Sequence, residues 1–154
     1  LTLTTSLFTF GTLMDTELLE LVSEQAVDTL QLEPARVVGH ARRWVIDDHY
    51  PVLVPAQGHD TQGLIIRGLS DAALDRIVFF EGEEFSLKSL DVLLESGEPE
   101  QVEYFADNHR KSISESEWTL EEWQRTTKHD TMPRVRVYMQ CYGKMTAAEA
   151  DAYW

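Results

Sequence analysis

The sequence predicts an α+β fold: a small mixed or antiparallel β-barrel with flanking helices and a helical C-terminal extension. Three observations lead there. Segments rich in β-branched and aromatic residues dominate the first two-thirds of the chain. They follow neither the regular βαβα alternation of a doubly wound sheet nor the unbroken strand succession of a sandwich. The apolar residues at 3,4 spacing that mark helices fall singly between strands and then cluster near the end. Finally, the 154 residues are 43% apolar and 26% charged, with one cysteine, Cys141. That is a globular balance, and a chain of this size builds a core without disulfide staples.

Ser6 to Phe10 alternates β-favouring residues and stops at Gly11, as a strand feeding a tight turn does. Asp15 then caps a helix carrying Leu18, Leu19 and Val22 and ending near Ser23 or Ala26. Ala35 to Ile46 reads as a long strand bent or bulged at Gly39. Asp47 to Pro51 reads as a turn, Val52–Val54 as a short apolar run, and Pro55 to Asp60 as a second turn. Leu64-Ile65-Ile66 between Gly63 and Gly68 forms another strand. Ser70 caps a helix with Leu74, Ile77 and Val78 on its apolar side. Phe85 to Leu94 and Val102 to Phe105 are strands separated by the turn Ser96-Gly97-Glu98-Pro99. Beyond Asn108, Thr119 caps a helix with Glu122 three residues on, a second helix is expected over Val135 to Tyr142, and a third near Ala147. The expected organisation is a barrel domain over residues 1–108 and a helical extension over 109–154 packed on it.

With 13 Lys and Arg against 27 Asp and Glu, the net charge is −14. Nucleic-acid binding draws most of its affinity from cations near phosphates, so that function is not expected. No apolar run approaches the ~20 residues that span a bilayer, and the start lacks a basic leader region; neither a membrane nor a secretory route is expected, and the cytoplasm is the default. A monomer or weak dimer is the expected state. His40, His49, His59, His109 and His129 show no metal-ligand spacing, and a lone cysteine cannot complete a zinc set. His49 beside Asp47 and Asp48 reads as a solvated turn before it reads as a metal cluster.

Two segments carry residues suited to chemistry. In Phe10-Gly11-Thr12-Leu13, successive N–H groups of a tight turn can face an anion or an oxygen acquiring charge. The same glycine equally serves a plain strand-to-helix turn, and local features leave both readings open. In Phe79-Phe80-Glu81-Gly82-Glu83-Glu84-Phe85, a glutamate set against aromatic rings loses solvation, which raises its pKa toward the range of a general base. Glu81, after two phenylalanines and before a glycine, is the candidate; Glu83 and Glu84 read as solvated turn residues. A glycosidase-like pair of Glu81 and Glu84 is disfavoured, because residues so near in sequence do not easily oppose each other across a sugar. Trp118 and Trp123 read as anchors docking the extension onto the sheet.

Taken together these segments resemble the γ-glutamylcyclotransferase-like superfamily, and more closely its AIG2-like branch. Phe10-Gly11-Thr12-Leu13 is similar to the family's Tyr-Gly-[Thr/Ser]-Leu loop. Leu74-Asp75 followed by Phe80-Glu81-Gly82 and Phe85 is similar to its Leu-Asp…Phe-Glu-Gly-x-x-Tyr segment, and Tyr50-Pro51-Val52-Leu53 with Gly63 to its Tyr-Pro-Ala-Leu stretch and following glycine. The resemblance runs over roughly residues 6 to 106. It departs at Phe10 and Phe85, each standing where the family has tyrosine, and at Leu87, where a basic residue is usual. The neighbouring Lys88 faces the other side of a strand unless a bulge intervenes.

The resemblance implies a mixed barrel with a cavity at one end, Glu81 as catalytic carboxylate, and Phe10, Gly11, Thr12, Leu13, Tyr50, Pro51 and Phe85 around a small-molecule substrate. The implied reaction closes a γ-glutamyl amide on its own amine, giving 5-oxoproline and a free amine, and requires no metal or cofactor. The alternative on the same fold is a non-catalytic domain binding a small ligand or a protein. For an anionic substrate, Arg36, Arg42 and Arg43 are the nearest candidate cations.

Overall fold

The computed structural model describes residues 6–46, 50–108 and 112–153. Six strands form one sheet: β1 (Leu7–Thr9), β2 (Gln31–Val45), β3 (Pro51–Arg67), β4 (Phe85–Leu94), β5 (Pro99–Asp107) and β6 (Ile113–Glu117). Their order is β3-β1-β5-β4-β2-β6, and β2 pairs back onto β3, closing five strands into a barrel with β6 attached outside the ring. The β1–β5 pairing is parallel and the others are antiparallel. The mixed barrel with flanking helices is therefore the observed architecture.

Closure explains the short apolar runs. Successive strand residues face opposite sides, so a strand covered on both faces needs apolar residues at every position. Leu7 and Ile66 pack outward into a core shared with the helices, while their neighbours Phe8 and Ile65 pack inward with Phe10, Val37, Val92 and Val102. Gly63 marks the tightest approach of β1 to β3: a Cβ there would lie 2.4 Å from the Thr9 carbonyl oxygen and 2.7 Å from the Phe8 ring.

Helices α1 (Thr16–Ser23) and α2 (Asp71–Glu81) begin at the expected caps, with Asp15 accepting from the Leu18 N–H and Ser70 from the Ala73 N–H. Helix α3 (Leu120–Thr126) begins at Thr119, which accepts from the Glu122 N–H, and α5 spans Ala147–Tyr153. Trp118 and Trp123 are fully buried, as expected of residues anchoring the extension.

Several expectations are corrected. Pro55 to Asp60, expected as a turn, lies within β3, one arm of a long hairpin with β2, but the pairing is interrupted there: Val38 opposite Asp60 is followed by His40 opposite Pro55, so residues 56–59 have no partner on β2. The register shift lies at Gly39, at φ +75°, where the expected bulge occurs. Residues 57–60 are exposed on this arm, which is why their polar character imitated a loop. Strand β2 starts at Gln31 rather than Ala35, and β5 at Pro99 rather than Val102. β6 lies where helices alone were expected; its polar Ser114-Glu115-Ser116 carries no apolar alternation, and pairing to β2 holds it. The helix placed over Val135 to Tyr142 is α4, Lys128–Met139, which tolerates Pro133 inside it. The expected turn at Asp47–Pro51, with the acidic residues flanking His49, falls largely outside the described residues.

Candidate active site

One end of the barrel opens into a cavity of about 340 Å³. Its walls come from five places, one of them Phe105 of β5. β1 and the turn after it supply Thr9, Phe10, Gly11, Thr12 and Leu13; the start of β3 supplies Tyr50 and Pro51; the end of α2 and the corner into β4 supply Phe80, Glu81, Glu84 and Phe85; and α5 supplies Asp151. All eight residues expected at the site, Phe10, Gly11, Thr12, Leu13, Tyr50, Pro51, Glu81 and Phe85, line this one cavity.

The corner holding Glu81 is fixed from both sides. Glu81 is the last residue of α2, and Gly82 ends the helix at φ +76°, a conformation that L side chains resist. The chain then turns sharply into β4. Asn108 ties the corner down, its backbone N–H donating to the Glu84 carbonyl at 3.0 Å and its side-chain amide to the Glu83 carbonyl at 2.8 Å. The Glu81 carboxyl thus meets the cavity from a rigid helix end rather than from a loop. Burial pushes its pKa from the ordinary 4.5 up to about 8. Desolvation is the cause, and among the described residues no cation or hydrogen-bond donor offsets it.

The turn after β1 lines the same cavity. Gly11 precedes a single 3₁₀ turn, Thr12–Met14, closed by Met14 N–H to the Gly11 carbonyl at 3.0 Å and Asp15 N–H to the Thr12 carbonyl at 2.9 Å. The N–H groups that open such a turn have no acceptor within it and are available to a ligand. A Cβ on Gly11 would come within 3.0 Å of the Pro51 ring, so glycine lets the two walls close on each other.

Glu84 is not a merely solvated turn residue: the Tyr50 hydroxyl donates to its Oε2 at 2.6 Å. The Tyr50 ring stands edge-on to Phe85, with centroids 5.4 Å apart. Phe10 is buried against Phe8 and Tyr104. Lys88 is exposed on a strand whose register with β5 runs without a bulge, so it does not replace the basic residue absent at Leu87. None of Arg36, Arg42 and Arg43 lines the cavity. Arg42 instead donates from Nη1 to the Phe10 carbonyl at 2.9 Å and the Gln62 carbonyl at 3.2 Å. Among the described residues no group of His, Cys, Asp and Glu is arranged to hold a metal ion, and no helix is long and apolar enough to cross a membrane.

Sequence reasoning missed Glu84 and Asp151 as cavity residues. Glu84 gave no local signal, because its partner Tyr50 lies 34 residues earlier in the chain. Asp151 had none: it reaches the cavity through its helix, where Tyr138 donates to Oδ1 at 2.9 Å.

The family model for gamma-glutamyl cyclotransferase, AIG2-like proteins matches residues 7–125 of this chain. The chain belongs to that family. Among AIG2-like relatives, the chain is 26% identical over 136 residues to AIG2-like protein C of Arabidopsis thaliana, covering 87% of this chain and 77% of the relative. The AIG2-like fold is shared with the solution structure of an Arabidopsis thaliana protein at a TM-score of 0.65 and 21% identity, over 93% of this chain and 86% of that one. A solved gamma-glutamyl cyclotransferase superposes at a TM-score of 0.59 and 10% identity, over 72% and 70% of the two chains. The AIG2-like match ends within α3, so α4 and α5, with Asp151, lie beyond it.

Proposed function

We propose that the protein is a cyclotransferase acting on a γ-glutamyl amide, releasing 5-oxoproline and an amine. The observation that carries this reading is a carboxylate with its pKa pushed to about 8, sharing one cavity with the open backbone turn at Gly11–Leu13.

The substrate folds so that its α-amine lies against its own γ-carbonyl carbon. Glu81, as carboxylate, takes a proton from the α-ammonium. An ordinary glutamate near 4.3 is too weak a base for this, whereas a group near 8 is matched to ammonium groups titrating at ~7.7–8.0 in peptides. The freed nitrogen attacks the γ-carbon, and N–H groups of Gly11, Thr12 and Leu13 receive the oxygen as it becomes anionic. The protonated Glu81 then gives its proton to the leaving nitrogen as the original C–N bond breaks. The nucleophile loses two protons in all: the first reaches the departing nitrogen through Glu81, and the regenerated Glu81 carboxylate takes the second from the ring nitrogen and passes it to the departing amine, which leaves as an ammonium while Glu81 returns to its starting state. Holding a flexible chain in this cyclic conformation supplies much of the acceleration, several kcal/mol by analogy with intramolecular reactions.

Purified protein incubated with a panel of γ-glutamyl amines and γ-glutamyl peptides is expected to release 5-oxoproline from at least one of them. Glu81→Gln is expected to abolish the release while the fold persists. Full turnover in that variant overturns the mechanism, and no 5-oxoproline from any member of the panel overturns the reading.

A further inference from the structure

We infer that Arg42 is the positioning residue of the candidate oxyanion turn, holding the Phe10–Gly11 peptide in place from behind the cavity, with Trp118 clamping Arg42 in turn. This rests on the cyclotransferase reading for its consequence in catalysis, but its geometry stands on the fold.

β1 is three residues long, and its last pair with β3 is Thr9 opposite Leu64. Beyond that pair the chain leaves the sheet to form the turn, so Phe10 has no partner on β3, while Gln62 is paired on its other side with Arg36 of β2. Arg42 Nη1 serves the carbonyl oxygens of both Phe10 and Gln62, at 2.9 and 3.2 Å. A guanidinium reaching from β2 thereby replaces the missing strand pairing at the point where the turn begins.

The consequence for the site follows from peptide geometry. In a trans peptide the N–H points away from the C=O of the same plane. Fixing the Phe10 oxygen on Arg42 fixes the direction of the Gly11 N–H, and Gly11 has no side chain with which to line the cavity, so its backbone does so. Arg42 lines no part of that cavity and touches no substrate; it acts through the peptide.

Arg42 is itself held at some cost. The Trp118 ring, fully buried, lies 5.4 Å from the guanidinium carbon, and the Trp118 N–H donates to the Arg42 carbonyl at 3.3 Å. Arg42 Nε and Trp118 Nε1 are both buried without a hydrogen-bond partner among the described residues. A buried donor left unsatisfied opposes stability. A pair optimised for stability alone would not carry two of them, and orienting the turn explains what the cost supports. Lysine does not substitute, since a point ammonium lacks the planar face that stacks on an indole.

The test compares wild-type protein with Arg42→Gln, Arg42→Lys and Trp118→Phe. In Arg42→Gln the backbone amide resonances of Gly11 and Thr12 are expected to move and broaden, while those of α2 stay in place. kcat is expected to fall about 10- to 100-fold, as for a displaced oxyanion donor, with KM little changed. The pH midpoint set by Glu81 is expected to stay where it is. Arg42→Lys is expected to lie close to Arg42→Gln, and Trp118→Phe to keep most of the activity because a ring remains over the guanidinium. Unmoved Gly11 and Thr12 amides in both Arg42 variants overturn the inference, as does an unchanged kcat, or a loss confined to KM. If the wild-type protein forms no 5-oxoproline, the cyclotransferase reading falls, and the Gly11 and Thr12 amides alone decide whether Arg42 sets the turn. If Arg42→Gln does not fold, the same resonances are read in Arg42→Lys.

Discussion

Lys128 Nζ, at the start of α4, lies 2.8 Å from Oδ2 of the buried Asp15 at the cap of α1, and 2.9 Å from Glu17 Oε1. Gln124 of α3 donates to the same Asp15 oxygen at 2.9 Å, and the other oxygen accepts from the Leu18 N–H. One carboxylate therefore caps the helix that follows the Gly11 turn and joins it to α3 and α4. Burial by itself would raise the Asp15 pKa, but the hydrogen bonds from Lys128, Gln124 and Leu18 outweigh it and hold the group below the ordinary 3.8.

Asp15→Ala is expected to lose about 2–4 kcal/mol, combining a lost cap with a broken buried ion pair. The folded pKa is depressed, so the carboxylate's contribution is present above the unfolded value and disappears as pH falls through the folded one. Urea denaturation at neutral pH and over a series of pH values below 3.8 measures both parts: the gap between wild type and variant should be wide at neutral pH and shrink progressively as the pH falls below the unfolded value.

The role of Asp15 as cap was legible because a cap and the 3,4-spaced leucines after it lie within a few residues. The same holds for Ser70, Thr119 and the bulge at Gly39. Its bonds to Gln124 and Lys128 were not legible, since nothing local in either segment names the other. Strand β6 was hidden for a related reason: Ile113-Ser114-Glu115-Ser116-Glu117 has no face that needs burial, and only the far half of β2 makes it a strand. The candidate site was legible where chemistry and backbone were close in sequence, at Gly11 and at Glu81-Gly82. It was not legible at Glu84 and Asp151, whose side chains join the cavity through tertiary packing.

Gly63 supplies a test of barrel closure independent of chemistry. A methyl group there meets the Thr9 carbonyl at 2.4 Å, a backbone atom that cannot rotate aside, and the buried Phe8 ring. Gly63→Ala should therefore separate β1 from β3 and cost about 2–3 kcal/mol, as overpacking does in a dense core. Thermal denaturation followed by circular dichroism checks it, and an unchanged Tm would contradict the close approach.

Glu81 should also shape stability. Its pKa is about 8 in the folded protein against an ordinary 4.5. Between these values the native state binds a proton that the unfolded chain has released, so stability falls as pH rises across that window and levels off above about pH 8. Glu81→Gln keeps the shape and removes the titration. Above pH 8 the variant is expected to be more stable than wild type by roughly 2–4 kcal/mol, with the two converging near pH 4. Guanidinium denaturation across pH 4–9 measures this with no substrate present. Parallel stability curves for the two proteins would show that Glu81 is not desolvated in solution.

The same group sets the expected rate profile. As general base Glu81 must be ionised in the free enzyme, so kcat/KM should climb tenfold per pH unit on the acid side and level off around pH 8, where the folded pKa lies. A carboxylate in water would level off near pH 4–5. Tyr50→Phe offers a control within the cavity: it removes the hydroxyl that bonds Glu84 and leaves the ring against Phe85. That variant is expected to raise KM severalfold and leave the midpoint of the profile in place, because desolvation, not a charge near Tyr50, raises the Glu81 pKa. A midpoint shifted by about one unit would instead mean that the Glu84 charge reaches Glu81 once its tyrosine is gone.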